Sequence, residues 1–162
     1  MQTQVDLFLN KAAFIIDSSS LIQLRQYYPK DLFAPLYDKL TPVLKSGKVV
    51  VLDLVIDEIK DKEKEIFKIL DENIPKERSY KFEDYILESQ KIIRTHYDEV
   101  KKPHKLKADP HIIACAKQEN LRIVTDELKE DRTSIPNVCD KENVKYLNLL
   151  DFLREENISF KT

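Results

Sequence analysis

The stretch Ala12-Ala13-Phe14-Ile15-Ile16 is apolar without alternation and ends at Asp17. A strand with one wet face would alternate. An uninterrupted run suits a strand covered on both faces, as in a parallel sheet between layers of helices. Asp17 then falls at the C-terminal end of the strand, the edge at which open α/β sheets bind their ligands. Ser18, Ser19 and Ser20 follow and can cap a helix beginning near Leu21. Taken alone, Asp17 serves equally well as an acid at a helix start.

The same pattern recurs. Lys48 to Leu52 carries Val-Val-Val-Leu, Leu121 to Val124 runs into Thr125-Asp126-Glu127, and Lys145 to Leu147 gives a shorter fourth strand. Helical spacing fills the intervals. Leu21 to Tyr27 forms a short helix stopped by Pro29. Asp31 then caps a helix with Leu32, Leu36, Leu40, Val43 and Leu44 on one face, Pro35 in its first turn and Gly47 past its end. Asp53 opens a helix over 54–60, and charged, helix-prone sequence continues to Asn73 before Pro75. Phe82, Tyr85, Ile86, Ile92, Ile93 and Tyr97 mark an amphipathic helix. Asp109 reads as an N-cap and Pro110 as the first helical residue, with Ile112, Ile113 and Ala116 on one face. A last helix turns Leu149, Leu150 and Leu153 inward. Strands alternating with helices imply parallel pairing through right-handed crossovers. The expectation is a single three-layer α/β/α domain over residues 1–162, with a mostly parallel sheet of four or five strands.

Composition removes several chemistries. Gly47 is the only glycine, whereas phosphate-cradling loops, dinucleotide fingerprints and the serine-hydrolase elbow each need more than one. A net charge of -2 gives no global attraction to nucleic acid or membrane. No apolar run reaches the length of a membrane span. Met1 to Asn10 lack the pattern of a signal peptide, and Cys115 and Cys139 fit neither a disulfide framework nor a zinc site. A reducing cytoplasm is the expected location. Cys115 reads as a small buried residue, and His96, His104 and His111 as residues of surfaces or helix ends. One stretch is locally basic: Val100 to Lys107 holds Lys101, Lys102, Lys105 and Lys107 with no acid among them. It reads either as a solvated loop or as a contact to a phosphate backbone.

Acids stand at comparable points of the alternation. Asp17 follows the first strand, and Asp126 and Glu127 follow the third. Glu58 lies in the helix after the second strand, and Asp109 starts the helix before the third. Such positions can converge at one end of a parallel sheet. Crowded carboxylates raise one another's pKa unless a cation is present, and an all-oxygen set suits Mg²⁺ or Mn²⁺. Each acid also has an ordinary explanation as a cap, a surface residue or a turn residue.

Phe-Ile-Ile-Asp17-Ser-Ser, Val-Ile-Asp-Glu58-Ile, Ala108-Asp109-Pro-His-Ile-Ile-Ala-Cys-Ala116 and Ile-Val-Thr125-Asp126-Glu127 occur in the order and style of PIN-domain ribonucleases. That group includes the VapC-type toxins of toxin–antitoxin pairs. The resemblance spans Phe14 to about Phe152. The chain also resembles a less-studied PIN-like branch with Tyr27-Tyr28-Pro29 after the first helix and Ile135 to Cys139 before the last strand. The resemblance implies a divalent-metal endoribonuclease using Mg²⁺ or Mn²⁺, with Asp17, Glu58 and Asp109 as three central acids. Thr, any residue, Asp is the family's pattern for the fourth, which places Glu127 in the slot, with Asp126 beside it. Ser19 and Thr125 match supporting polar positions. RNA is the implied substrate, held by Lys101, Lys102, Lys105 and Lys107 and more weakly by Arg25. An antitoxin protein and a homodimer are partners the resemblance admits. Two other readings share the residues: a non-catalytic PIN-like module that binds RNA or protein, and a small-molecule phosphatase.

Overall fold

The computed structural model describes residues 9–97 and 108–159. Five strands form one sheet: β1 (Phe14–Ile16), β2 (Val49–Leu52), β3 (Ser79–Tyr80), β4 (Arg122–Val124) and β5 (Tyr146–Leu147). Their order is β3-β2-β1-β4-β5 and every pairing is parallel. The helices are α1 (Ser18–Tyr27), α2 (Ala34–Lys45), α3 (Asp53–Ile59), α4 (Lys64–Asn73), α5 (Ile86–His96), α6 (Asp109–Glu119), α7 (Ile135–Glu142) and α8 (Leu149–Glu155).

The apolar runs become the central strands for the reason their lack of alternation gives. All of β1 and β2 is buried on both faces. Chain direction then assigns the layers. From β1 the sheet grows one way through β2 to β3, and from β4 it grows the other way to β5. Right-handed crossovers put the helices of these two halves on opposite faces. α1 packs on α3 and α8, and α2 and α3 pack on α4, while α6 packs between α5 and α7. The result is a three-layer α/β/α domain. α6 lies innermost: Ile112, Ile113, Ala114, Cys115 and Ala116 are all buried. A helix apolar nearly all round belongs in a core, so the expectation of a single inward face was too narrow.

Several boundaries differ from the sequence expectations. α1 starts at Ser18, so the serines lie inside its first turn. α2 starts at Ala34 with Pro35 in its first turn, which leaves Asp31 off the cap and Leu32 exposed. Ala108 occupies the N-cap of α6, and Asp109 is its first helical residue, its side chain released for another role. In α8 the inward residues are Leu149, Phe152 and Leu153, while Leu150 is exposed. The expected amphipathic helix from Phe82 opens with a 3-10 turn, Phe82–Tyr85, before α5. β3 and α7 had no counterpart in the expectations. The lysine-rich run, Lys101, Lys102, Lys105 and Lys107, lies outside the described residues. No helix among the described residues is long and apolar enough to cross a membrane.

Register fixes which residues meet at the C-terminal edge. Phe14, Ile15 and Ile16 pair with Arg122, Ile123 and Val124, so the next residues, Asp17 and Thr125, come level. The chain leaves β1 toward β2 and leaves β4 toward β5, on opposite sides. The crevice between β1 and β4 is therefore the topological switch point of the sheet.

Truncating the inner helix should be costly. Ile113→Ala, at a position with no exposure, is expected to destabilise by about 2–5 kcal/mol. Leu87→Ala, on an exposed side chain, should stay within about 0.5 kcal/mol of wild type. Urea denaturation midpoints compare the two.

Candidate functional site

Asp17 leaves β1 directly into α1 and is 2% exposed. Its Oδ2 accepts from Ser19 Oγ at 2.6 Å and from Thr125 Oγ1 at 3.1 Å. The backbone N–H groups of Ser18 and Ser19 add to this. The two hydroxyls are themselves held from β4's loop: Asp126 N donates to Ser19 Oγ at 2.9 Å, and Glu127 N donates to Thr125 Oγ1 at 3.2 Å. Burial still dominates and raises the Asp17 pKa above the ordinary carboxylate range.

Asp109 and Glu127 complete a triplet. One oxygen from each of Asp17, Asp109 and Glu127 lies within 4.8 Å of the others. They come from three separate elements: the end of β1, the start of α6 and the loop after β4. Glu127 accepts a hydrogen bond from the backbone N–H of Ile135, the first residue of α7. Burial raises the pKa of Asp109 first, and the charges of Glu127, Asp17 and Glu58 raise it further. Glu127 is raised by burial and by Asp17. Asp109 keeps its proton the more firmly and shares a hydrogen bond with Glu127. The charges that bear most on this triplet are thus other carboxylates. A small pocket of acids lined by oxygen donors fits a hard divalent cation such as Mg²⁺ or Mn²⁺, which would remove that repulsion.

The other expected site residues divide. Glu58, half-buried in α3, stands outside the triplet, yet its charge reaches both Asp109 and Glu127. Asp126 is turned away. Its Oδ2 accepts from Ser20 Oγ at 2.6 Å and from Leu149 N at 3.3 Å, tying α1, the β4 loop and α8 together. Ser19 and Thr125 support the site as expected. Arg25 makes two contacts to Glu63, at 2.5 and 3.1 Å, at the end of α1. His111 stands in the first turn of α6, at a helix end as expected, and is half-buried: Nδ1 meets Ser89 Oγ at 2.9 Å and the ring lies edge-on to Phe82. His96 sits at the end of α5, 3.4 Å from Glu142. Cys115 and Cys139 are buried and unbridged. Beside the triplet, a cleft of about 660 Å³ runs from Thr125 and Glu127 past Lys129, Pro136 and Tyr146 to α8.

A family model described as a domain of unknown function, DUF4411, matches residues 14–160. The chain belongs to this family. The DUF4411 match covers every element that builds the triplet. The crystal structure of PAE2754 from Pyrobaculum aerophilum is similar in fold, with a TM-score of 0.51 and 15% sequence identity. That likeness covers 91% of this chain and 98% of the other. No curated protein matches the DUF4411 chain.

Sequence reasoning missed one contributor and one buried neighbour of the site. The Ile135 N–H that holds Glu127 belongs to α7, whose start is signalled by Ser134 at the N-cap position and Pro136 in the first turn, although the Ser134 side chain makes no cap hydrogen bond. Tyr97, at the end of α5, passed for an ordinary core residue.

The raised carboxylates set a pH dependence. Asp17, Asp109 and Glu127 bind protons more tightly folded than unfolded, so the native state holds more protons above the ordinary carboxylate value of about 4. Their contribution to stability is full below that value and is lost as pH rises through the elevated native values. Metal-free protein should therefore melt at a higher temperature near about pH 5 than near about pH 8. Saturating Mn²⁺ should shrink the difference. Thermal melts in EDTA and in Mn²⁺ across that range read both effects.

Proposed function

We infer that this chain is a divalent-metal-dependent endoribonuclease of PIN type, hydrolysing phosphodiester bonds in RNA. The observation that carries the reading is the triplet itself: three carboxylates from three elements, within 4.8 Å, at the switch point of a parallel sheet. The sequence resemblance supplies the choice of RNA.

Asp17, Asp109 and Glu127 would hold the metal, and Glu58 would add negative charge at the rim. A bound Mg²⁺ or Mn²⁺ supplies charge neutralisation for a phosphoryl group and acidifies a water. The chain's own part is to fix the donors. Ser19 and Thr125 keep the Asp17 carboxylate in one orientation, and the Ile135 N–H does the same for Glu127. The cleft beside Glu127 gives a chain-like substrate a path along the β5 edge.

Arg122, Lys129 and Arg154 line that cleft and are engaged by Glu155, Asp140 and Asp151. Phosphate binding therefore falls to the run Lys101, Lys102, Lys105 and Lys107, which precedes Asp109 in the chain. Arg25, occupied by Glu63, is the weaker choice. A toxin role further requires a neighbouring reading frame whose product suppresses cleavage.

Two variants test this. Purified protein should cleave a structured RNA panel in Mn²⁺, lose the activity in EDTA, and leave mononucleotides intact. Asp17→Asn should reduce cleavage more than about 100-fold while the circular dichroism spectrum stays native. Wild-type cleavage by Asp17→Asn would sink the site assignment. Preferred hydrolysis of mononucleotides would favour a phosphatase, and RNA binding without turnover a non-catalytic module. Replacing the four lysines by alanine should weaken RNA binding and flatten its salt dependence by roughly one unit of slope per lost phosphate contact.

A further inference from the structure

Tyr97 caps the C-terminal end of α5 and is 2% exposed, yet its hydroxyl has no hydrogen-bond partner among the described residues. Buried tyrosine hydroxyls ordinarily find one, and an orphaned donor costs about 1–3 kcal/mol. Such a group calls for an explanation in terms of a partner that arrives later.

The packing of α5 on α6 shows where that partner lies. Tyr85 meets Glu119, Glu88 meets Lys117, and Ser89 meets His111. Progress along α5 is therefore regress along α6, and because Ser89 already meets the first turn of α6, the chain from Ser89 to Tyr97 runs past the N-terminus of α6, the end where Asp109 stands. Asp109 and Glu127 are the carboxylates whose charge bears on the Tyr97 hydroxyl. A carboxylate that holds a metal through one oxygen keeps lone pairs free, and ligating carboxylates are in turn hydrogen-bonded by neighbours that orient them.

We propose that Tyr97 is a positioning residue of the metal centre: with a divalent cation held by Asp17, Asp109 and Glu127, its hydroxyl donates to the remaining oxygen of the Asp109 carboxylate. This rests on the metal-centre reading above. It assigns a role to a residue 12 positions from Asp109 in the chain and on a different helix. The hydroxyl orients Asp109 without touching substrate.

The test is Mn²⁺ binding by calorimetry on the full chain, wild type and Tyr97→Phe, with melting temperatures in EDTA. Phenylalanine keeps the ring and its packing. Mn²⁺ affinity should fall about 10- to 100-fold, and the metal-free melting temperature should hold or rise, because an unpaired hydroxyl has been removed. The Mn²⁺-induced rise in melting temperature should shrink in step with the affinity. Equal Mn²⁺ affinity in the two proteins would overturn the role of Tyr97 alone. So would a lower metal-free melting temperature with affinity intact, since the hydroxyl would then have a structural partner. No Mn²⁺ binding by wild type would overturn the metal centre and this role with it.

Discussion

Burial of the Asp17 carboxylate at the end of a central strand is the constraint around which this edge of the molecule is built. Taking an ion out of water costs several kcal/mol. Hydrogen bonds to a charged group return about 1.5–3 kcal/mol each. Asp17 collects them from two hydroxyls and two backbone N–H groups, and burial still outweighs them. The hydroxyls come from α1 and from the residue after β4. Each is also an acceptor for the β4 loop. The loop that presents Glu127 is thus locked by the same bonds that tolerate Asp17. Removing either hydroxyl would loosen both acids together.

The topology explains why so small a sheet can host this arrangement. Its strands are two to four residues long, so little of the chain lies between the two edges. Parallel pairing in register delivers Asp17 and Thr125 side by side without any loop having to search for the other. α6, apolar nearly all round, packs against β1 and β4 and brings Asp109 to the same crevice. Depth in the core is what holds this acid in place.

The sequence made visible those parts whose chemistry is local. β1 and β2 are apolar runs, and burial on both faces is what such runs require; β4 is shorter in apolar residues, with Ile123 and Val124 buried after Arg122. β3 is Ser79–Tyr80, two residues with no run to see, and it exists because β2 offers an unpaired edge. α7 is eight residues long with Pro136 in its first turn, too short for a periodic apolar face to announce it. Asp17, Asp109 and Glu127 were nameable from their positions after strands or at a helix start. The role of Asp109 as a cap was not what folding selected: Ala108 took the cap, and the carboxylate went to the crevice. Tyr97 was invisible because its position follows from helix packing across a gap in the chain, which no local pattern carries.

Asp126 and Glu127 show how reach divides the labour between adjacent acids. The two side chains find different partners, and only Glu127 joins Asp17. The shorter Asp126 closes a local knot among Ser20, the β4 loop and the start of α8. The longer Glu127 spans to the N-terminus of α7, where the Ile135 N–H and the positive end of the helix favour a negative charge. From there it still meets Asp109. An aspartate at 127 would lose a methylene of reach and could not serve both partners without moving the loop that Thr125 and Ser19 hold. Glutamate at 127 is therefore the residue that the position of α7 demands.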